Sequence, residues 1–186
     1  MALKKVFPDT SVCFPISVLD LLLRCDERDL HRIVWSEDLL RELERVWVRQ
    51  GARTVGSAQA VTAAIRSTFP DQRIDRDVYA SLIDKMPGDD PDDHCHAAAA
   101  VAVAPAVLLT ANLRDFPAQP LGERGVTVLS PDEYAVSLLN EHREDLLVVV
   151  ADMAAHRRRP PMDVDDVLNA LARAGLTTFV DTFRAL

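Results

Sequence analysis

The stretch DPDDHCHAAAAVAVAPAVLLTANLRDF, residues 90–116, decides the fold. It opens with Asp90 at a helix-capping position, Pro91 at the first helical position and acids suited to a first turn. Ala97 to Ala104 follow, with side chains small enough for a helix to lie close to a sheet. Val107 to Thr110 then reads as a buried strand, and Ala111 to Phe116 leaves its end as a polar loop. A helix feeding a strand calls for other strands beside it, and the flanking sequence supplies them.

Upstream, Leu3 to Phe7 reads as a first strand ending at Pro8-Asp9-Thr10. Ile16 to Leu23 is a helix with Val18, Leu19, Leu22 and Leu23 on one side. Arg32 to Trp35 is a second strand. Ser36 caps a helix with Glu37 and Asp38 in its first turn, running to about Val48. After a break over Gly51 to Gly56, two helices are expected, Ser57 to Phe69 and Asp75 to Met86. Downstream, Val126 to Leu129 is one more strand. This order predicts an α/β fold with a mainly parallel sheet flanked by helices on both faces.

From Ser130 onward the pattern is all helical. Pro131 to Asn140 and Glu144 to His156 are candidates, stopped by Arg157 to Pro161. Asp163 caps a further helix that Gly175 ends, and Phe179, Val180, Phe183 and Leu186 form a last apolar stripe. The expected organisation is an α/β domain over residues 1–136 and a helical extension over 137–186. The extension has too few apolar stripes for its own core, so it is expected to pack against the α/β domain or a partner.

A length of 186 residues suits one domain with an extension, and 48% hydrophobic residues exclude a disordered chain. The longest apolar run, Ala97 to Leu109, is too short to span a bilayer and contains Pro105. Asp9 interrupts the apolar stretch after Lys4 and Lys5, which argues against a secretory signal. Three cysteines without CxxC spacing suggest neither disulfides nor a zinc site, so a reducing, cytoplasmic setting is expected. A net charge of −8 argues against general coating of nucleic acid. It leaves room for a small nucleic-acid-cutting site where a divalent metal supplies the positive charge.

Parallel strands would put Asp9, Asn112 and Asp115 on one sheet edge, where ligands bind in open α/β sheets. Asp93 joins them if its helix starts at that edge, as a helix feeding a parallel strand normally does. On the helix after Ser36, Leu39, Leu40, Leu43, Val46 and Trp47 form one arc, with Glu42 and Glu44 on opposite rims. Periodicity does not choose between the two. Carboxylates so clustered need a cation, because like charges raise one another's pKa. Mg²⁺ takes oxygen ligands and keeps waters, and water activated by it can attack a phosphodiester.

Four segments carry a resemblance: FPDTSV (Phe7 to Val12), SEDLLRELERV (Ser36 to Val46), DPDDHCHAAAA (Asp90 to Ala100) and LLTANLRDF (Leu108 to Phe116). In order and spacing they resemble the four acidic motifs of a PIN-domain ribonuclease of the VapC type, the toxins of bacterial toxin–antitoxin modules. The resemblance implies a PIN-like three-layer fold over residues 1–136. It implies metal-binding acids at Asp9, Glu42, Asp93 and Asp115, with Thr110 and Asn112 supporting them or positioning substrate. It further implies endoribonuclease cleavage of RNA dependent on Mg²⁺ or Mn²⁺, inhibition by a small cognate antitoxin, and pairing into a homodimer. The helical tail is similar to extensions of longer VapC-like proteins.

Simpler roles exist for each residue. Asp9 suits a turn or cap after a strand, and Asp90, Asp92 and Asp93 all suit a helix start. His94 and His96 are two apart on a helix and point apart, so a shared metal is not expected; His96 could support Asp93 one turn away, but a surface role is the expected one. Arg157 to Arg159 complement a helix C-terminus. Trp35, Trp47 and Tyr79 read as core. Two other functions are a PIN-like scaffold that binds without cutting and a haloacid-dehalogenase-like phosphatase. The latter needs an acid where Ser11 stands.

Overall fold

Val6 and Phe7, and later Val107 to Leu109, offer water no polar side chain, and they form the two central strands of one parallel sheet. The computed structural model describes residues 3–157 and 161–186. β1 (Lys5–Pro8) leads into the short α1 (Thr10–Cys13) and α2 (Ile16–Glu27). β2 (Arg32–Ile33) returns beside β1, and β3 (Trp35–Ser36) runs into α3 (Glu37–Arg49). Next come α4 (Val55–Thr68), β4 (Arg73–Ile74) and α5 (Arg76–Tyr79). α6 (His94–Ala102) feeds β5 (Ala106–Leu109), and α7 (Ala118–Gly122) feeds β6 (Val126–Leu129). The main sheet has the order β2-β1-β5-β6 with every pair parallel, the α/β class expected and consistent with a PIN-like fold.

Local expectations depart in three places. Arg32 to Trp35 is two strands rather than one. The Val34 N–H is still held by the Val6 carbonyl at 2.8 Å, but beyond it the chain leaves β1 and pairs with β4, Trp35 opposite Arg73. The buried Trp35 indole fixes that switch by donating to the Phe69 carbonyl at 2.9 Å. Asp75 to Met86 is not one helix: α5 gives way to a 3-10 stretch, Ala80–Lys85. Tyr79 and Met86, spaced like two α-turns, are both buried all the same, so the apolar spacing did not distinguish the two geometries. The helix after Asp90 begins with a 3-10 turn, Pro91–Asp93, and becomes α-helical only at His94.

The C-terminal part comprises α8 (Pro131–Glu141), α9 (Arg143–His156), α10 (Val164–Arg173) and α11 (Thr177–Arg184). Ser130 with Glu133, and Asp163 with Asp166, form reciprocal capping boxes at α8 and α10. Gly175 ends α10 at φ 98°, a left-handed conformation that favours glycine. α9 and α10 pack on α2, and Leu146, Val149, Val150 and Met153 are buried in the core that the α/β part also uses. Arg28 on the rim of that contact pairs with Asp145 and Asp152 at 3.5 and 3.9 Å. Arg157 follows α9 and pairs with Asp20 at 3.8 Å, whereas Arg158 and Arg159 lie outside the described residues. Among the described residues no helix is long and apolar enough to cross a membrane.

Candidate active site

The chain builds β2 on one side of β1, then continues with β5 and β6 on the other. The strand order therefore reverses between β1 and β5, and a crevice opens beyond the carboxyl ends of strands at such a point. Pro8 stands opposite Leu109, and the Asp9 N–H donates to the Leu109 carbonyl at 2.9 Å, so Asp9 and Thr110 emerge side by side.

Their two motifs interlock. One Asp9 carboxylate oxygen accepts from the Ser11 hydroxyl at 2.6 Å and the Val12 N–H at 3.0 Å; the other accepts from the Thr110 hydroxyl at 2.7 Å. Ser11 in turn accepts from the Ala111 N–H at 3.0 Å, and Thr110 from the Asn112 N–H at 2.9 Å. Asp9 therefore caps α1, as its simpler role proposed, and also has a side chain fixed at the mouth of the crevice. Burial raises its pKa, while the three hydrogen bonds and the nearby His96 oppose the rise.

Asp9, Glu42, Asp93 and Asn112 line one cavity of about 370 Å³, together with the buried hydroxyl of Thr10. At the start of α6 the neighbouring acids separate. Asp90 takes the capping role, accepting from the Asp92 N–H at 3.0 Å. Asp92 is exposed, whereas Asp93 is half-buried and makes no capping bond. Burial, with the carboxylates of Asp9, Asp90 and Asp115 adding to it and His96 opposing it, pushes Asp93 up to about 6.

Glu42 and Glu44 also part company. Glu44 turns to α4, accepting from the Thr62 hydroxyl and pairing with Arg66 at 3.4 Å. Glu42 faces the cavity and is gripped by His96 Nε2 at 2.6 Å. His96 is 1% exposed, which corrects its reading as a surface residue: α6 turns it inward beneath Glu42. The hydrogen bond from His96 is the main reason Glu42 has a lowered pKa. The other ring nitrogen, Nδ1, is buried and has no hydrogen-bond partner among the described residues.

Asp115 is half-buried and accepts from the Asn112 side chain. It does not line the cavity, but its charge reaches Asp93. Gly88 brings the two loops together. A Cβ there would stand 2.6 Å from the Asp115 carbonyl oxygen, and φ is 126°, so the close approach needs glycine. Ser11 and Gly88 were missed as parts of the site, and His96, weighed as a support for Asp93, holds Glu42 instead. Ser11 alone had a sequence signal, a hydroxyl two residues beyond a strand-end aspartate.

The carboxylates of Asp9, Glu42 and Asp93 and the Thr10 hydroxyl that line the cavity are hard oxygens, the kind Mg²⁺ or Mn²⁺ takes, so the chemistry of the residues present fits such an ion. Each carboxylate except Asp93 is held by a side-chain neighbour, and among the described residues no three acidic, histidine or cysteine side chains are gathered as a ready cage. No curated protein and no solved structure matches the chain. Residues 131–185 match the family model of the VapC50 C-terminal domain, which points to a VapC-type toxin family.

Proposed function

We propose that the chain is the toxin of a type II toxin–antitoxin module, a PIN-domain endoribonuclease dependent on Mg²⁺ or Mn²⁺. One observation carries the reading: Asp9, Glu42 and Asp93, from three separate segments, line one cleft at the point where the strand order reverses. The match of residues 131–185 to a VapC-type domain supports the toxin role. On this reading residues 1–136 are the nuclease part and 137–186 the extension. An RNA is the substrate, a small antitoxin protein the inhibitor, and the cytoplasm the site of action. The same reading includes pairing into a homodimer, for which exposed Val55 and Val78 offer apolar surface.

Asp9, Glu42 and Asp93 would hold the cation, with Asp115 beside them. When bound, the cation supplies charge neutralisation and activates water for attack on phosphorus. The chain's own residues supply orientation. Ser11, the Val12 N–H and Thr110 hold Asp9; His96 holds Glu42; Asn112 holds Asp115. Asp93, the least committed carboxylate, gains most from a positive charge nearby. A generic single-stranded RNA incubated with the purified chain should be cut in Mg²⁺ or Mn²⁺, spared in excess chelator and cut again when metal is restored. Full cleavage in chelator would exclude metal dependence, and no cleavage with either ion would leave the non-cutting scaffold.

A further inference from the structure

A second cavity, of about 480 Å³, adjoins the acidic cleft and shares Glu42 with it. Its long wall is a single stripe of α3: Asp38, Arg41, Glu42 and Arg45 recur at three- and four-residue spacing. Arg76 of α5 stands across from them. The charges are unevenly committed. Asp38 accepts from the Tyr79 hydroxyl at 2.6 Å and pairs with Arg76, so its charge is satisfied within the fold. Arg41 and Arg45 are exposed and take part in no ion pair among the described residues.

Arg45 acts on Glu42 through its charge alone, and neither arginine is tied down by a direct ion pair among the described residues. In a chain of net charge −8, phosphates approach an acidic cleft only where local positive charge draws them in. Residues 41 and 45 lie just over one turn apart, about 6 Å along the helix, comparable with the step between successive phosphates of a flexible strand.

We propose that Arg41 and Arg45 form a phosphate track that positions single-stranded RNA next to the bond to be cut. The inference rests on the ribonuclease reading for its substrate. Asp38 and Arg76 neutralise each other, which leaves Arg41 and Arg45 flanking Glu42 on the α3 wall and Asp92 as the acid on the far side.

The test is equilibrium binding of a labelled, unstructured oligouridylate in excess chelator, followed by fluorescence anisotropy over a range of salt. Arg41→Gln/Arg45→Gln should weaken binding about tenfold at 0.1 M salt and reduce the salt slope by about 1.4, two contacts at about 0.7 each for a single strand. Arg41→Lys/Arg45→Lys should keep the slope, because a phosphate track needs the charge more than the fork. Arg124→Gln/Arg173→Gln, the same charge change at exposed positions elsewhere, should bind like the wild type. Salt-independent or undetectable binding by the wild type, an unchanged slope in the glutamine variant, or an equal loss in the control would each overturn the track. Cleavage measured in parallel separates the two readings. Wild-type cleavage with an unchanged KM in Arg41→Gln/Arg45→Gln sinks the track alone. Binding through the arginines without cleavage sinks the ribonuclease reading alone.

Discussion

Asp93→Asn is expected to lose RNA cleavage by about a hundredfold or more, while Asp92→Asn keeps most of it. Loss of residues that merely support a metal ligand costs about 10- to 100-fold, and loss of a ligand itself should cost at least as much. Helix-dipole effects treat the two positions nearly alike, at about 0.3–1 kcal/mol each. The cleft does not: Asp93 lines the acidic cavity, whereas Asp92 lines the arginine-walled one. Removing the charge of Asp92 takes an anion from that wall, so RNA binding should hold or strengthen. Stability gives an independent reading. The folded-state pKa of Asp93, about 6, lies above its ordinary value of 3.8, so the wild type without metal loses stability as pH rises through that window. Asp93→Asn removes this dependence and should melt at or above the wild-type temperature at neutral pH. Equal loss of cleavage in both variants would show Asp93 to be no more than part of a helix start.

The second large effect is on stability, with the opposite sign. His31 is fully buried. Its Nε2 pairs with the Leu22 carbonyl at 2.9 Å and its Nδ1 with the Tyr134 hydroxyl at 3.0 Å, so a neutral ring satisfies both partners, and the site offers no counter-charge to an imidazolium. Burial is the main reason its pKa falls to about 4. A folded-state pKa depressed from 6.5 gives a contribution present above about 6.5 and lost as pH falls through about 4. The gap corresponds to about 3 kcal/mol. Because Tyr134 lies on α8, the same ring ties the C-terminal helices to the turn after α2. Wild-type melting should therefore weaken sharply between pH 7.5 and pH 4.5. His31→Gln should start from lower stability and lose much less over that interval. Parallel losses in the two proteins would assign the acid sensitivity to another group.

The elements that position the cleft were legible because their signals are local. Val107 to Leu109 ends at a polar loop, Leu3 to Phe7 ends at Pro8-Asp9, and the parallel order puts those two ends together. Capping chemistry likewise located α3 and α10 to within a residue or two. What escaped depends on tertiary neighbours. Two-residue strands such as β3 and β4 exist only because Trp35 finds Phe69 and β4 beside it. His96 looked like a surface residue because its partner, Glu42, is 54 positions away. Gly88 gave no sign of its role, since the carbonyl it makes room for belongs to Asp115. Glu42 and Glu44 sit on opposite rims of one helical arc, and only the surroundings of α3 separate them.

Whether the cleft holds a divalent cation is decided most directly by titrating Mn²⁺ into the metal-free chain at neutral pH and following the heat. Saturable binding is predicted for the wild type, weakened about tenfold or more in Asp9→Asn and in Asp93→Asn. Glu44→Gln should bind like the wild type, because Glu44 is turned away to Thr62 and Arg66. No saturable heat in the wild type, or the same affinity in all four proteins, would contradict a metal site at Asp9, Glu42, Asp93 and Asp115.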